Sequence, residues 1–293
     1  MENKKRNITG LTFLIMGVIV LIIGIIAMKN TDMSKYDITD TGERRSTVEE
    51  YKAEDVKELK LILGASSYTI KADSTTDKIT VDSVDTEENY ASTSQKDGVF
   101  EYRVNNKELI DTGWFRFHFF DFDLTKLANV RSWKDLKSIA DPDDGKVIIT
   151  VPDKVFDKVT IECGVGNSKI SGIKCRELIF DGGVGNVELN DVTADKTSLD
   201  AGVGNLSGYG SSFGKFELDA GVGNINLTGA MNDADINCGV GNVSIHVLGN
   251  ISNYDVDSDD ADIHGSGSGS VNSGERYKIT VDSGLGDCNI YFE

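Results

Sequence analysis

The chain is poor in the side chains that do chemistry. Among its 293 residues there are three histidines (His118, His246 and His264) and four cysteines. No HxxxH or CxxC spacing accompanies them, so the sequence offers no metal-ligand set and no activated nucleophile. Basic residues are also scarce, with 30 Lys and Arg against 48 Asp and Glu and a formal net charge of −18. Residues 1–30 hold four basic residues and one acidic one, so the remainder carries −21. Such a surface disfavours nucleic acid and anionic lipid and favours cations or basic partners. It also keeps a sheet-rich protein soluble and discourages edge-to-edge association.

What is present is repetition. Gly-Val-Gly-Asn begins at Gly164, Gly183, Gly202, Gly221 and Gly239, at spacings of 19, 19, 19 and 18 residues. A fixed period of this length marks units that stack on their neighbours. Three and five residues before each tetrapeptide the side chains are apolar or small, as in Val159 and Ile161, or Leu178 and Phe180. Four and six residues after its first glycine, Val187 and Leu189, Ile225 and Leu227, and Val243 and Ile245 repeat the alternation. Period two on both sides of a glycine break reads as strand, tight turn, strand. One repeat therefore forms one coil of a β-solenoid, with coils ~4.8 Å apart. Flanking valine with glycine lets the backbone take positive φ twice. Asparagine then closes the turn, tolerating left-handed geometry. Stacked in register, Asn167, Asn186, Asn205, Asn224 and Asn242 are expected to form an amide ladder along one edge.

Further copies follow once the alignment is relaxed. Leu59, Leu61, Gly64, Tyr68 and Ile70 form a degenerate first copy, and Ile279 to Ile290 a final one. Between them, Tyr254, Val256, Ser258 and Ile263 keep the pattern, with Asp259 to Asp262 in place of the glycine turn. Atypical end copies are expected where a solenoid caps its edges. A Gly/Ser loop, Gly265 to Gly274, separates the last two coils, giving seven or eight in all. The acidic run Asp255 to Asp262 matches neither calcium pattern. The sixth position counted from Asp255 holds Asp260 instead of glycine, and the nonapeptide period is half as long. Cys163 and Cys238 share a repeat position four coils apart, about 19 Å at the strand spacing, so no disulfide joins them. Cys175 and Cys288 fall at other positions and are left unpaired, without dependence on disulfides.

The N-terminal part differs in style. Ile8 to Met28 are 21 residues without a charge, long enough to span a hydrocarbon core as a helix. Lys4, Lys5 and Arg6 precede them, which places the N-terminus in the cytoplasm and the rest outside. The stretch ends Ile-Ile-Ala-Met-Lys, unlike a cleaved signal, so it reads as an anchor. The expected organisation is a cytoplasmic tip and anchor over 1–29, a polar linker over 30–55 that turns partly helical toward Val56, and a solenoid over 56–293. Residues 105–145 interrupt the solenoid with Trp114, Phe115, Phe117, Phe119, Phe120 and Phe122, then a helix-compatible run, Leu124 to Ala140. These aromatics read as a cap on an open end or, for Trp114, Phe115, Phe117 and Phe119, as an interaction surface.

The anchor, the strand Ile148 to Pro152 and the glycine-turn repeats together resemble the bacterial "putative adhesin" domain, which overlaps the toastrack-type extracytoplasmic modules. The resemblance covers roughly residues 56–293, and the insertion at 105–145 departs from it. It implies a β-solenoid at the cell envelope, often associated with envelope-stress systems, and implies no catalytic residues and no cofactor. The sequence is thus read as an all-β, single-stranded solenoid behind one membrane helix. Its role is non-enzymatic: a surface interaction or scaffold module contacting a glycan or an envelope protein. An extracytoplasmic sensor of envelope stress is the alternative. The turn reading separates two substitutions. Gly202→Val is expected to cost about 3 kcal/mol or more, because a β-branched residue is forced to positive φ, whereas Asp200→Asn stays within about 0.5 kcal/mol. Thermal melts check this, and equal losses would overturn the turn assignment.

Overall fold

The computed structural model describes residues 45–64, 66–85, 90–105, 146–265 and 276–293. All of them fall in one of the chain's two compact units. Residues 8–28, the aromatic residues 114–122 and the Gly/Ser loop over 266–274 lie outside them. Among the described residues no helix is long and apolar enough to cross a membrane.

Period-two patterning becomes two parallel ladders joined by the glycine turns. Before the turns run β8 (Val155–Glu162), β10 (Lys174–Asp181) and β12 (Thr193–Asp200), with Val159, Leu178 and Thr197 in one register and Ile161, Phe180 and Leu199 in the next. After the turns run β9 (Ser168–Ser171) and β11 (Val187–Asn190). β13 (Leu206–Asp219) and β14 (Ile225–Asn237) are long enough to serve both ladders, and β15 (Val243–Val247) closes the fifth repeat. Inward positions are almost completely covered: Val159, Leu178, Phe216, Ile170, Leu189 and Ile245 are each 0 % exposed. Each such aliphatic or aromatic side chain contributes about 1.5–3 kcal/mol by leaving water. A second corner recurs eight residues after the first glycine of the first three tetrapeptides, where Gly172, Asp191 and Gly210 take positive φ of 70°, 54° and 66°.

The five repeats pile in chain order, but both ends double back. β2 (Glu58–Ile62) and β3 (Ser67–Asp73) lie on β8 and β9, and are covered in turn by β6 (Val99–Asn105) and β7 (Lys146–Pro152). At the other end, β18 (Tyr277–Asp282) and β19 (Cys288–Phe292) insert between the fifth repeat and the acidic coil of β16 (Tyr254–Ser258) and β17 (Asp262–His264). The described residues thus form nine rungs, one more than the copies read from the sequence.

This order corrects the cysteine reading. With the last coil beside the fifth repeat, Cys288 falls in register with Val243. That brings it across the turn from Cys238, and the two form a disulfide with Cα atoms 6.3 Å apart. Cys163 and Cys175 are free, and burial pushes both thiols up to about 12. The linker reading changes too. Part of 30–55 is β1 (Arg45–Lys52), antiparallel to β4 (Lys78–Asp85), which is itself antiparallel to β7. β5 (Tyr90–Lys96) pairs with β6 through the two-residue turn Asp97-Gly98, both at positive φ, a combination suited to a hairpin.

Among the described residues three buried side-chain oxygens lack a hydrogen-bond partner, Asn190 Oδ1, Thr197 Oγ1 and Ser283 Oγ, and Thr197 lies deepest in the ladder. Thr197 is fully buried between Leu178 and Phe216, and its hydroxyl has no hydrogen-bond partner. A buried hydroxyl without a partner costs about 1–3 kcal/mol. Thr197→Val keeps the shape and is expected to raise the melting temperature by ~2–4 °C per kcal/mol recovered. A scanning-calorimetry comparison tests it; a lower melting temperature in the variant would show that the hydroxyl is satisfied.

Candidate functional site

The turns build an edge whose backbones touch. Val165, Val184, Val203, Val222, Val240 and Leu285 form successive parallel bridges. In the third turn Val203 donates its N–H to Gly183 O at 2.9 Å and accepts from Gly185 N at 2.9 Å. The second glycine of each tetrapeptide takes positive φ, 133–149° in Gly166, Gly185, Gly204, Gly223 and Gly241. The first does so only in Gly202, Gly221 and Gly239, so two positive-φ residues per turn is too general. What all the turns share is proximity. A β-carbon on Gly183 would lie 1.8 Å from Gly164 O, and one on Gly204 1.8 Å from Gly185 O.

The asparagines do not adopt left-handed geometry; Asp97 and Asp191 are the described non-glycine residues that do. Their role is between rungs. Asn167 Oδ1 accepts the backbone N–H of Asn186 at 3.0 Å, and Asn186 Oδ1 accepts that of Asn205 at 3.3 Å. Asn205, Asn224 and Asn242 continue the row to Asp287 at 3.3, 3.3 and 3.4 Å. Asn205 also donates its side-chain amide to Asn186 Oδ1 at 3.0 Å. Each amide thus supplies an acceptor that the parallel ladder leaves missing at the turn.

Before the turn, Asp200, Asp219 and Asn237 accept from Gly202, Gly221 and Gly239 N–H at 2.9, 3.3 and 3.3 Å. Burial raises the Asp200 pKa, Asp219 on the next rung raises it further, and the Gly202 N–H opposes both.

The two outward faces differ in charge. On the pre-turn face of the third, fourth, fifth and last coils, the outward residues are Lys196, Ser198 and Asp200; Lys215, Glu217 and Asp219; Asp233, Asp235 and Asn237; and Lys278, Thr280 and Asp282. Nine of these twelve carry a charge. On the post-turn face of the same coils stand Asn205, Ser207 and Tyr209; Asn224, Asn226 and Thr228; Asn242, Ser244 and His246; and Asp287, Asn289 and Tyr291. There Asp287 is the one carboxylate. The rings of His246, Tyr291 and His264 stack at 4.6 and 4.7 Å, and His246 Nδ1 lies 2.7 Å from a Glu293 oxygen. Toward the other end the same face holds an open depression of about 380 Å³ lined by Thr69, Asn167, Lys169, Asn186, Glu188 and Ser207. Lys169 is 3.0 Å from Glu188, and its hydrogen bond holds that carboxyl below its ordinary range, with Asn190 adding to the effect.

Other candidates take ordinary places. Among the described residues no group of three or more His, Cys, Asp or Glu side chains is placed to hold a metal ion. Asp255 of the acidic run is 2.9 Å from Arg276. Gly210-Ser211-Ser212-Phe213-Gly214 spells the spacing of a nucleophile elbow, with Ser212 at the nucleophile position. It lies within strand β13, where its middle serine, Ser212, is half-buried and stands in the ladder between Thr193 and Ala230. A strand interior is no elbow. Trp114, Phe115, Phe117 and Phe119 lie outside the described residues. The neutral face was missed because its members share polarity but no spelling; the charge contrast appears only when rungs are aligned.

The family model of the Toastrack domain, DUF4097, matches residues 56–292. The chain belongs to the Toastrack DUF4097 family. Among solved structures, a "putative adhesin" from Bacteroides fragilis is similar at 15 % identity, covering 86 % of this chain and 99 % of that one, with a TM-score of 0.43. A "putative cell adhesion protein" from Clostridium sporogenes is similar at 13 % identity over 86 % and 100 % of the chains, with a TM-score of 0.37. No curated protein matches.

Asp200 gives a pH test with a definite sign. Its folded pKa is raised, so its contribution is fully present below the unfolded aspartate value of about 3.9 and is lost as pH rises through the folded value. Asp200→Asn keeps the acceptor for Gly202 N–H, as Asn237 does for Gly239. Relative to the parent, the variant is expected to melt equal or slightly higher at pH 7, and to lose that advantage at pH 3. A variant less stable at pH 7 than at pH 3, relative to the parent, would contradict the assignment.

Proposed function

We propose that this Toastrack domain is a non-enzymatic, adhesin-like surface module, held at the membrane by residues 8–28 with the N-terminus in the cytoplasm and the domain outside. The observation that carries the reading is the contrast between the faces. Repeating turns create a long surface, and on one side of it Asp287 is the one carboxylate among the twelve outward positions of four coils in an otherwise acidic protein. Identical rungs offer no unique cluster of acid, base and nucleophile, as catalysis requires, whereas repetition suits attachment, where many weak contacts add. The uncharged stretch 8–28 and the basic residues before it support the anchored orientation.

The test uses intact cells that make the full chain. External protease is expected to remove the domain, and attachment of the cells to glycan- or matrix-coated surfaces is expected to fall to the level of cells lacking the chain. A domain degraded only after the membrane is breached, or attachment indifferent to its removal, would overturn the reading.

A further inference from the structure

We infer that the post-turn face of the third, fourth, fifth and last coils is a binding platform for a neutral, linear glycan lying along the stack. The inference deepens the adhesin-like reading and rests on it. A carboxylate or ammonium pressed against an uncharged ligand loses hydration without gaining a counter-charge. A face meant for such a ligand is therefore cleared of charge, while the face that meets only water keeps its own. That is the distribution seen: nine charged residues among the twelve outward positions before the turns, and Asp287 as the one carboxylate among the twelve after them.

The groups left on the cleared face suit sugar chemistry. Side-chain amides and hydroxyls, as in Asn226, Ser244 and Asn289, both donate and accept, as sugar hydroxyls do. Tyr209 is 59 % exposed and offers a ring to the C–H side of a pyranose. The neighbouring amides of Asn205, Asn224 and Asn242 spend their oxygens on the next rung, and Asn205 also gives its NH2 to Asn186, so Asn226, Ser244 and Asn289 are the groups left for a ligand. Because the rungs repeat every ~4.8 Å, successive units of a polymer meet nearly the same groups, so affinity grows with chain length. An anionic glycan is opposed by the net charge of −18. A protein partner would need a wide apolar centre, whereas exposed apolar side chains border this face in a row along its turn edge, at Val203, Val222 and Val240.

The experiment is calorimetric titration of the full chain in phospholipid nanodiscs. The probes are chitohexaose, maltohexaose and, as the anionic control, hexagalacturonate. At least one neutral hexamer is expected to bind, more tightly than its dimer, and the control is expected not to. Asn226→Asp and Tyr209→Ala, both at exposed positions, are each expected to weaken binding by about tenfold, which is ~1.4 kcal/mol. Asp235→Asn on the opposite face leaves it unchanged, and melting curves verify that all three fold. Failure of both neutral hexamers, equal binding of the anionic one, or indifference to Asn226→Asp and Tyr209→Ala overturns the proposal. So does capture of a surface protein by this face in place of saccharide. If intact cells still attach through the domain while both neutral hexamers fail, the platform is wrong and the adhesin-like reading survives. If attachment fails while a hexamer binds in the expected pattern, the platform stands and the surface role falls.

Discussion

Everything in the stack depends on how closely two backbones approach at the turn. A carbonyl of one rung occupies the space where the next rung's glycine would carry its β-carbon, at 1.7–1.9 Å in Gly185, Gly204, Gly223 and Gly241. No side chain fits there. The constraint fixes where the rungs touch, and from that contact the rest follows. The valine bridges set the register, the asparagine oxygens find the next N–H, and the inward aliphatic side chains fall above one another. A substitution elsewhere on a rung disturbs that rung; one at this contact separates two. This is why glycine is present at both positions of all five tetrapeptides, although only some of them need the positive φ that glycine permits.

Stack order and chain order part company at the ends, and the reason is the exposed edge. A terminal rung leaves a row of unpaired N–H and C=O groups. Here β6 and β7 are laid over the first copy, and the antiparallel strands β4, β1 and β5 are added to them. At the far end the last coil enters beneath the acidic one, so β18 and β19 lie inside the stack. The outermost strands there carry Asp255, Asp257 and Asp262, exposed carboxylates that discourage a further chain from pairing. The Cys238–Cys288 disulfide then ties the inserted coil to its neighbour.

The sequence was legible wherever a rule acts within one repeat. The strands, the inward positions and the asparagine row all follow from a period of 19 and alternation by two. What it did not disclose depends on which repeat lies beside which. Cys238 and Cys288 are 50 residues apart, and their pairing is visible only once the last coil is known to sit on the fifth. The strand Arg45–Lys52 is rich in charge because it lies at an edge, and polarity was mistaken for a linker. Asp97-Gly98 was a readable hairpin signal that went unused. The neutral face falls between these cases: each of its residues was in plain view, but polarity alone does not distinguish Asn226 from Asp235 until both are set on their faces.

That distinction bears on how a chain so poor in reactive side chains can act. Solubility asks only that charge be present, and does not say where. Spread evenly, the charged residues would place about as many on one outward face as on the other, since both have the same three positions per coil. Concentrating them on the pre-turn face sets six carboxylates against the three lysines Lys196, Lys215 and Lys278, and Asp219 adds a little to the rise that burial gives the Asp200 pKa. The arrangement thus carries a cost that folding and solubility do not require. A cost borne along four coils, with amides, hydroxyls and rings in the space left free, is what selection for contact with an uncharged surface would produce.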